Sequence, residues 1–385
     1  MALGHTARLT CRKINSKDRT IRMPESRPLN ITEYASRAKN NIAGMAWDYY
    51  SGGSDDEITL AENEAAWRRA RLHYRILADI AVRSTRTNVL GHELSMPVMA
   101  APTAFQKLAH ADGELATVRA TTMAGTAMVL SSLSTVDVED VMDAAQGPVF
   151  FQLYMYKDRN VSRDLIRRVE SAGCKAIILT VDAPLLGNRE RDERNHFALP
   201  EGVTVRNLTA TGHLDFSTDG GSGLSKFVHD HQDPTLNWEH VEWLRATTDL
   251  PIVIKGVCRP DDAVRCFDCG AEAIIVSNHG GRQLDTSPAT FEVLPSICEA
   301  AGDRGEVWVD GGIRRGTDVI KALAAGATAT LIGRPILWGL ADSGEAGVSD
   351  VWSIMQRELD LDMALCGCRS VEEITTDLLG PDSRP

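Results

Sequence analysis

The chain contains 385 residues, of which 41 are Lys or Arg and 53 are Asp or Glu, so its formal net charge is −12. This acidic balance argues against sequence-independent nucleic-acid binding, which requires clustered cations. Hydrophobic residues make up 43% and charged residues 24% of the chain, which is typical of globular proteins and excludes global disorder. No apolar run reaches about 18 residues, so we expect neither a membrane-spanning helix nor a membrane partner.

The chain has eight cysteines, which are too dilute for a disulfide-stapled scaffold. The N-terminus lacks the apolar core of a secretory signal peptide, so we expect free thiols and a cytoplasmic protein. Cys266 and Cys269 form a C-x-x-C pair, and Cys366 and Cys368 form a C-x-C pair. Zinc would need two well-spaced pairs, so we interpret these residues as thiols packed on helices and expect no metal.

Residues 1–28 differ in composition from the rest of the chain, because they hold seven basic residues and only two acidic ones. They lack apolar periodicity, and we interpret them as a mobile N-terminal arm. An Arg-rich, acid-poor segment is also typical of organelle-targeting peptides, so targeting stays an open alternative. The last four residues, 382–385, do not form a peroxisomal SKL-type signal.

Residues 29–75 are predicted to form helices. Asn30 or Thr32 can cap a first helix that begins ITEYASRAK, because both side chains accept hydrogen bonds from the first turn. The glycines of Ser51-Gly52-Gly53 should end a second helix that closes with WDYY. The amphipathic stretch TLAENEAAWRRA predicts a third helix.

Eight short apolar runs rich in β-branched residues follow. They do not alternate polar and apolar residues, so we expect both faces of each strand to be buried, as in a parallel sheet. Helical segments such as SRDLIRRVESAG separate most of them. This alternation predicts a closed (β/α)8 TIM barrel over residues 29–372 and a C-terminal tail at 373–385. The runs lie at 97–101, 127–131, 148–152, 176–180, 251–255, 273–277, 306–310 and 329–333.

The step from the fourth run to the fifth is much longer than the others. The excess lies at about 190–240 and is polar and Gly-rich, which indicates a lid or a disordered loop. A doubly wound open sheet is the alternative architecture. It predicts a G-x-G-x-x-G turn after the first strand, but Pro102-Thr103-Ala104 stands there, so we favour the barrel.

Active sites of such barrels lie at the carboxyl ends of the strands, which selects candidate residues by geometry alone. A barrel with a purely structural role would not need a Lys, a His and three Arg at one rim. The candidates at these ends are Pro102, Thr103, Ala104, Ser131, Ser132, Gln152, Tyr154, Thr180, Asp182, Lys255, Ser277, Asn278, His279, Gly280, Gly281, Arg282, Asp310, Gly311, Gly312, Arg314, Gly333 and Arg334.

The last two strand ends predict a phosphate site. DGGIRRG and IGR place glycine amides, helix N-termini and guanidinium groups together, and these groups suit a dianion. Lys255, buried at the fifth strand end, needs an anionic partner to stay charged. Two roles are open for it at this stage: a Schiff-base nucleophile, or a cation that stabilises a reduced flavin ring.

A second constellation combines His279, Arg282, Arg189 and Asp182. An imidazole can accept a proton near neutral pH, and a carboxylate such as Asp182 would stabilise its protonated form. Arg189 and Arg282 could grip a substrate carboxylate. This pattern indicates an acid–base site for a small carboxylic acid.

The run SNHGGRQLD at 277–285 resembles the signature of the FMN-dependent 2-hydroxy acid oxidases and dehydrogenases, a family that includes glycolate oxidase and lactate oxidase. The resemblance extends over residues 29–372. Further motifs in the same order are DYYSGG, LAEN, APTAFQKLAH, FFQLYMYKDR, LTVDAPLLGNRERDERNHFALP, KGV, DGGIRRGTDV and IGRP.

The resemblance implies FMN as cofactor and a role for each matching residue. His279 would be the catalytic base, Asp182 its acidic partner, and Lys255 the cation near the flavin ring. Tyr49, Tyr154, Arg189 and Arg282 would bind substrate together with His279. The implied flavin, ribityl and phosphate contacts are Pro102, Thr103, Ala104, Ser131, Gln152, Thr180, Lys255, Ser277, Asp310, Gly311, Gly312, Arg314, Gly333 and Arg334.

The implied reaction oxidises an (S)-2-hydroxy acid to a 2-oxo acid, and O2 reoxidises the flavin to give H2O2. A dehydrogenase that uses a quinone is the alternative. The chain lacks a haem domain, and its long loop is polar rather than apolar and basic, so we favour a soluble oxidase. The family also implies a homotetramer or larger assembly.

Two positions depart from the pattern of glycolate oxidases. Leu133 stands where those enzymes carry Trp, and Phe105 stands where they carry Met. A smaller residue near the substrate predicts room for longer aliphatic or aryl side chains, unless the lid fills the space. Two other classes stay open: a Schiff-base aldolase that uses Lys255, and a flavin-binding protein without turnover.

Overall fold

A computed structural model of the chain describes residues 27–209 and 223–380. The predicted arm lies outside the described residues except for its last two positions, as does the middle of the predicted lid. Three helices open the described part: α1 (Ile31–Asn41), α2 (Gly44–Ser51) and α3 (Ile58–Arg69). Asn30 caps α1, because its side chain accepts a hydrogen bond of 3.1 Å from the backbone N–H of Glu33.

A short antiparallel hairpin, which the sequence did not predict, precedes the barrel. It pairs β1 (Thr87–Val89) with β2 (His92–Leu94). Leu90 and Gly91 at its turn both have positive φ, as two-residue hairpin turns require. Val89 and Leu94 pack against residues inside the barrel, so the hairpin covers the amino-terminal end of the strands.

Eight parallel strands form a closed barrel, and each overlaps one predicted run. The strand order follows the chain, and the last strand pairs with the first through Thr330 and Val98. The predicted barrel is confirmed. The strands are β3 (Val98–Ala100), β4 (Met128–Ser131), β5 (Val149–Leu153), β6 (Ile177–Thr180), β7 (Ile252–Val257), β8 (Ala273–Val276), β9 (Glu306–Val309) and β10 (Ala329–Ile332).

Helices surround the barrel and bury the outer faces of its strands. The long α14 packs on α1 and on two helices of the barrel ring. Among the described residues, none of the helices is both long and apolar enough to cross a bilayer. The remaining helices are α4 (Gly113–Met123), α5 (Val138–Ala144), α6 (Arg159–Ala172), α7 (Glu190–Arg194), α8 (Arg206–Thr209), α9 (Gly223–His231), α10 (Trp238–Thr247), α11 (Pro260–Asp268), α12 (Thr290–Ala301), α13 (Gly316–Ala324) and α14 (Arg334–Cys366).

The barrel interior is a second apolar core, separate from the shell between strands and helices. Alternate strand residues such as Val129, Phe150, Ile178 and Trp308 fill it, and each is fully buried. The rings of Phe150 and Trp308 stack with centroids 5.9 Å apart. This packing closes the lower part of the barrel, so only the carboxyl ends of the strands are available for a site.

Phe150→Ala should lower the free energy of unfolding by about 3–5 kcal/mol, because it leaves a cavity where little can relax. Chemical denaturation of both proteins measures the difference. Met123→Ala, at an exposed position on α4, is the control and should change stability by less than about 0.5 kcal/mol. Equal effects of the two substitutions would contradict the described interior packing.

Candidate active site

An open cleft of about 1150 Å³, including space continuous with solvent, lies at the carboxyl ends of the strands. Residues in the carboxyl-terminal half of the eight strands or directly after them line it, as the barrel rule predicts. Most candidate residues from the sequence line it, whereas Ser132, Asn278 and Gly281 do not. Asp182 and Ser277 stand just behind the lining and contact it through His279 and Lys255.

His279 and Asp182 form the central pair of the cleft. The Nδ1 atom of His279 lies 2.8 Å from Oδ1 of Asp182. Burial would raise the pKa of Asp182, but the charge and hydrogen bond of His279 lower it below its ordinary value. Burial lowers the pKa of His279, although Asp182 partly opposes this. At neutral pH the carboxylate is therefore ionised and the imidazole is neutral. Because Nδ1 is bonded to Asp182, the other ring nitrogen, Nε2, is left to contact a ligand.

Backbone geometry brings these two side chains together. His279 has a φ of 58°, in the left-handed region, and its N–H donates to Oγ of Ser277 at 3.1 Å. Gly256, after the middle of β7, has a φ of 113°, and a Cβ there would lie 2.6 Å from Cβ of Asp182. Only glycine therefore leaves room for the Asp182 side chain at this point.

Arg189 and Arg282 line the same side of the cleft. The Nε atom of Arg189 donates to the backbone oxygen of Arg282 at 3.2 Å, and Arg282 donates to the backbone oxygen of Gly52 at 3.0 Å. Burial, together with the neighbouring charge of Arg282, lowers the pKa of Arg189 to about 10. Arg189 therefore remains a cation at neutral pH, and the neighbouring Arg282 guanidinium adds a second positive charge, so the pair favours an anionic ligand.

Two tyrosines line the cleft beside these arginines. Tyr49 stacks on Phe197 with ring centroids 4.3 Å apart, and the Arg282 guanidinium lies 4.8 Å from its ring centre. Burial raises the pKa of both Tyr49 and Tyr154, and the charge of Asp182 adds to the rise for Tyr154. Both hydroxyls therefore stay protonated and can donate hydrogen bonds.

Lys255, on β7, is buried in the cleft, and its ammonium group contacts residues that follow β8 and β9. Its Nζ atom donates to Oγ of Ser277 at 2.7 Å and forms an ion pair of 3.1 Å with Asp310. Burial would lower the pKa of Lys255, but the charges of Asp310 and Asp182 raise it above its ordinary value. Lys255 is therefore an ammonium ion, which disfavours the Schiff-base role that the sequence left open.

A chain of amide and hydroxyl groups crosses the floor from β4 to β6. Gln152 accepts from Oγ of Ser131 at 3.2 Å and from the backbone N–H of Ser132 at 3.3 Å. Its Nε2 atom donates to Oγ1 of Thr180 at 3.0 Å. These linked donors and acceptors suit the polar edge of a heteroaromatic ring.

The residues after β9 and β10 lie together at the position predicted for a phosphate, which we call the cradle. Gly311 and Gly312 have φ of 97° and 81°, and a Cβ on Gly312 would lie 2.3 Å from the backbone oxygen of Asn63. Burial, followed by the charges of Arg282 and Arg314, lowers the pKa of Arg334 well below its ordinary value. The Nε atom of Arg314 is buried without a hydrogen-bond partner. This concentration of glycine amides and crowded cations fits the phosphate of FMN.

Helix α3 supports the cradle, which reasoning from strand ends alone did not predict. Trp67 donates from Nε1 to the backbone oxygen of Gly311 at 2.7 Å. Asn63 exchanges hydrogen bonds of 2.9 Å with Asn278 and accepts another from the backbone N–H of Thr290. The LAEN motif was visible in the sequence, but its contact partners are more than 200 residues away.

Helix α9 lies in the predicted lid region, but the sequence analysis named none of its residues. It contributes Leu224 and Val228 to the cleft, and Gln232 follows directly after it. Leu133 lines the cleft as expected, whereas Phe105 is fully buried beside Tyr49 and Phe197.

The described cysteines are all free thiols, and Cys266 is packed on α11. Within the described ranges, no group of three or more His, Cys, Asp or Glu side chains could hold a metal ion.

Comparison with known proteins places this geometry in a family. Residues 38–381 match the FMN-dependent dehydrogenase family. An L-lactate oxidase of a Nostoc species is 50% identical over 359 residues, which covers 92% of this chain and 98% of the relative. Glycolate oxidase of Spinacia oleracea is 49% identical, with the same coverage of both chains.

Solved structures give the same result at the level of the fold. A mandelate oxidase with bound (S)-4-hydroxymandelic acid superposes with a TM-score of 0.86 at 40% identity and covers 92% of this chain and 98% of its own. The fold and the FMN-fitting cleft thus agree with the sequence relationship. The chain belongs to the FMN-dependent dehydrogenase family, and it is an FMN-dependent oxidoreductase.

Proposed function

We propose that the protein oxidises an (S)-2-hydroxy acid to the 2-oxo acid and passes the electrons to O2, which gives H2O2. The observation that carries the proposal is the His279–Asp182 pair at 2.8 Å, with the guanidinium groups of Arg189 and Arg282 in the same cleft. The relatives named lactate oxidase and glycolate oxidase support both the substrate class and oxygen as acceptor. A quinone-dependent dehydrogenase is the alternative for the acceptor.

Arg189 and Arg282 bind the substrate carboxylate in this proposal. Each guanidinium carries parallel N–H donors that match a carboxylate, and burial strengthens the contact. Tyr49 and Tyr154 remain protonated, so their hydroxyls donate to the carboxylate and to the substrate's hydroxyl group. The resulting clamp fixes the α-carbon next to His279.

His279 then acts as the base. Its Nδ1 atom is engaged by Asp182, so Nε2 receives the proton, whether that proton leaves the α-carbon or the hydroxyl. Asp182 stabilises the imidazolium that forms. Bound FMN would supply the two-electron redox chemistry that links oxidation of the substrate to reduction of oxygen. Lys255 holds a positive charge at the inner end of the cleft, where it can stabilise negative charge on the cofactor.

The cofactor contacts in this proposal follow the position of each group along the cleft. The linked side chains of Ser131, Gln152 and Thr180 bind the edge of the flavin ring. Pro102, Thr103, Ala104, Lys255 and Ser277 surround the ring from neighbouring strands. The ribityl chain and phosphate contact Asp310, Gly311, Gly312, Arg314, Gly333 and Arg334.

The substrate side chain faces an apolar wall. Leu133, Leu186, Leu224 and Val228 line the cleft together, and none of them offers a hydrogen bond. A glycolate molecule would leave this wall without contacts. We therefore propose that the preferred substrate carries an aliphatic or aryl side chain.

A cytoplasmic homotetramer or larger assembly is also proposed. Tyr74, Ile76, Leu77 and Val82 are exposed on one segment, beside exposed Leu361 and Leu365 on α14. An ion pair between Arg83 and Asp360 brings the segment and the helix together. An apolar surface of this kind supports burial between subunits.

His279→Gln should retain the yellow cofactor and lower kcat by about 100- to 10,000-fold, because Gln cannot accept the proton. The absorbance spectrum and steady-state turnover of the purified variant measure the two effects. A variant that keeps both its flavin and most of its rate would remove His279 from the mechanism.

The pH profile of kcat/KM should show an acidic limb below pH 6.5. Only neutral His279 accepts a proton, and its pKa lies below the ordinary value, so activity rises with pH through that lowered pKa. Asp182→Asn should move this limb to lower pH, since the carboxylate raises the pKa of His279, and should lower the plateau about 100-fold or more. A limb unmoved by Asp182→Asn would contradict the pairing.

A substrate series from glycolate through lactate and longer aliphatic acids to mandelate tests the apolar wall. The larger substrates should show a kcat/KM about tenfold or more above glycolate, because side-chain burial contributes binding only in their case. Leu133→Trp should reduce this preference while leaving glycolate turnover nearly unchanged. A wild-type preference for glycolate would show that the wall does not select the substrate.

A further inference from the structure

Arg314 follows β9 and is held by residues close to it in sequence and by α14. Its guanidinium lies 4.9 Å from the ring centre of Trp338, and its Nη1 atom donates to the backbone oxygen of Ile313 at 2.8 Å. The backbone N–H of Arg314 donates to Asp318 at 3.0 Å. These contacts fix both ends of the residue, and only 11% of its side chain is exposed.

Glu64, on α3, forms an additional contact with the same guanidinium. Its Oε1 atom lies 3.0 Å from Nη2 of Arg314, and its Oε2 atom accepts a hydrogen bond of 2.7 Å from Arg68. The Glu64 backbone lies directly behind the cradle, since a Cβ on Gly312 would come within 2.9 Å of its N atom. A carboxylate thus stands at the edge of a site whose other features favour an anion.

We propose that Glu64 shares the Arg314 guanidinium with the phosphate of FMN and thereby limits how tightly the protein holds its cofactor. The inference rests on the proposed phosphate site and adds a residue that weakens it. Glu64 acts as the counter-ion of Arg314 in the cofactor-free protein, which stabilises that state relative to the FMN-bound state. In the bound state its charge repels the phosphate dianion.

The contact is not needed to position Arg314, because Trp338, Ile313 and Asp318 already hold it. A glutamine at position 64 can still accept a hydrogen bond from Nη2 through its amide oxygen, so the local geometry should persist. The carboxylate charge is then the only property that changes. Its removal should favour FMN over flavins that lack a phosphate.

The test is Glu64→Gln in the full chain. The FMN dissociation constant is obtained by diluting the holoenzyme and measuring the fluorescence of released FMN. We expect the variant to bind FMN about three- to tenfold more tightly than the wild type, since one like charge has been removed beside a dianion. Riboflavin, which has no phosphate, should bind both proteins with nearly equal affinity.

Glu62→Gln is the matched control. It removes the same charge from the same helix, but Glu62 pairs with the exposed Arg69, whereas Glu64 pairs with Arg314. Its FMN affinity should equal that of the wild type. If both substitutions increased FMN affinity equally, the cause would be the overall charge of α3, and the specific role of Glu64 would be overturned.

Two further outcomes would overturn the inference, and they differ in what they say about the proposed function. Unchanged or weaker FMN binding in Glu64→Gln, with FMN still preferred over riboflavin, would refute the competition and leave the phosphate site intact. A wild-type protein that binds FMN no more tightly than riboflavin would refute the phosphate site itself and this inference with it.

Discussion

The hydrogen bond between His279 and Asp182 determines what the cleft can do. A buried imidazole without a partner would be neutral and could take either tautomer, whereas the carboxylate engages Nδ1 and leaves Nε2 for the substrate. The bond depends on backbone features that carry no chemistry of their own. They are the left-handed conformation of His279 and the missing side chain at Gly256. The backbone conformation at the ends of two strands therefore positions the imidazole of His279.

Charge balance explains the rest of the site. Arg189, Arg282, Arg314, Arg334 and Lys255 line one cleft, and carboxylates engage only some of them. Buried or half-buried cations are costly without partners, so the cleft favours ligands that carry negative charge. In the proposed function, a 2-hydroxy acid would supply one anion near His279, and the FMN phosphate would supply the other near β9 and β10. The same charge balance explains the proposed effect of Glu64, whose carboxylate would compete with the FMN phosphate for Arg314.

Much of this architecture could be predicted from the sequence. The eight strands are short apolar runs buried on both faces, which is the clearest signal that a barrel leaves, and strand ends then identified His279, Lys255 and Arg282. The hairpin was missed because three-residue strands are too short to show a period. Leu224 and Val228 were missed because apolar residues in a long loop do not reveal which cavity they enter. The role of Glu64 could not be predicted, because its contact with Arg314 joins α3 to the loop after β9, and no local sequence pattern encodes that contact.

The central claim is that a 2-hydroxy acid bound between His279 and the two arginines reduces the cofactor. The most direct measurement is the visible spectrum of the purified protein after anaerobic addition of several (S)-2-hydroxy acids. We expect the flavin absorbance to bleach within the turnover time. Admission of air should then restore the absorbance and release one H2O2 per flavin reduced. A yellow protein that none of these acids bleaches would contradict the account.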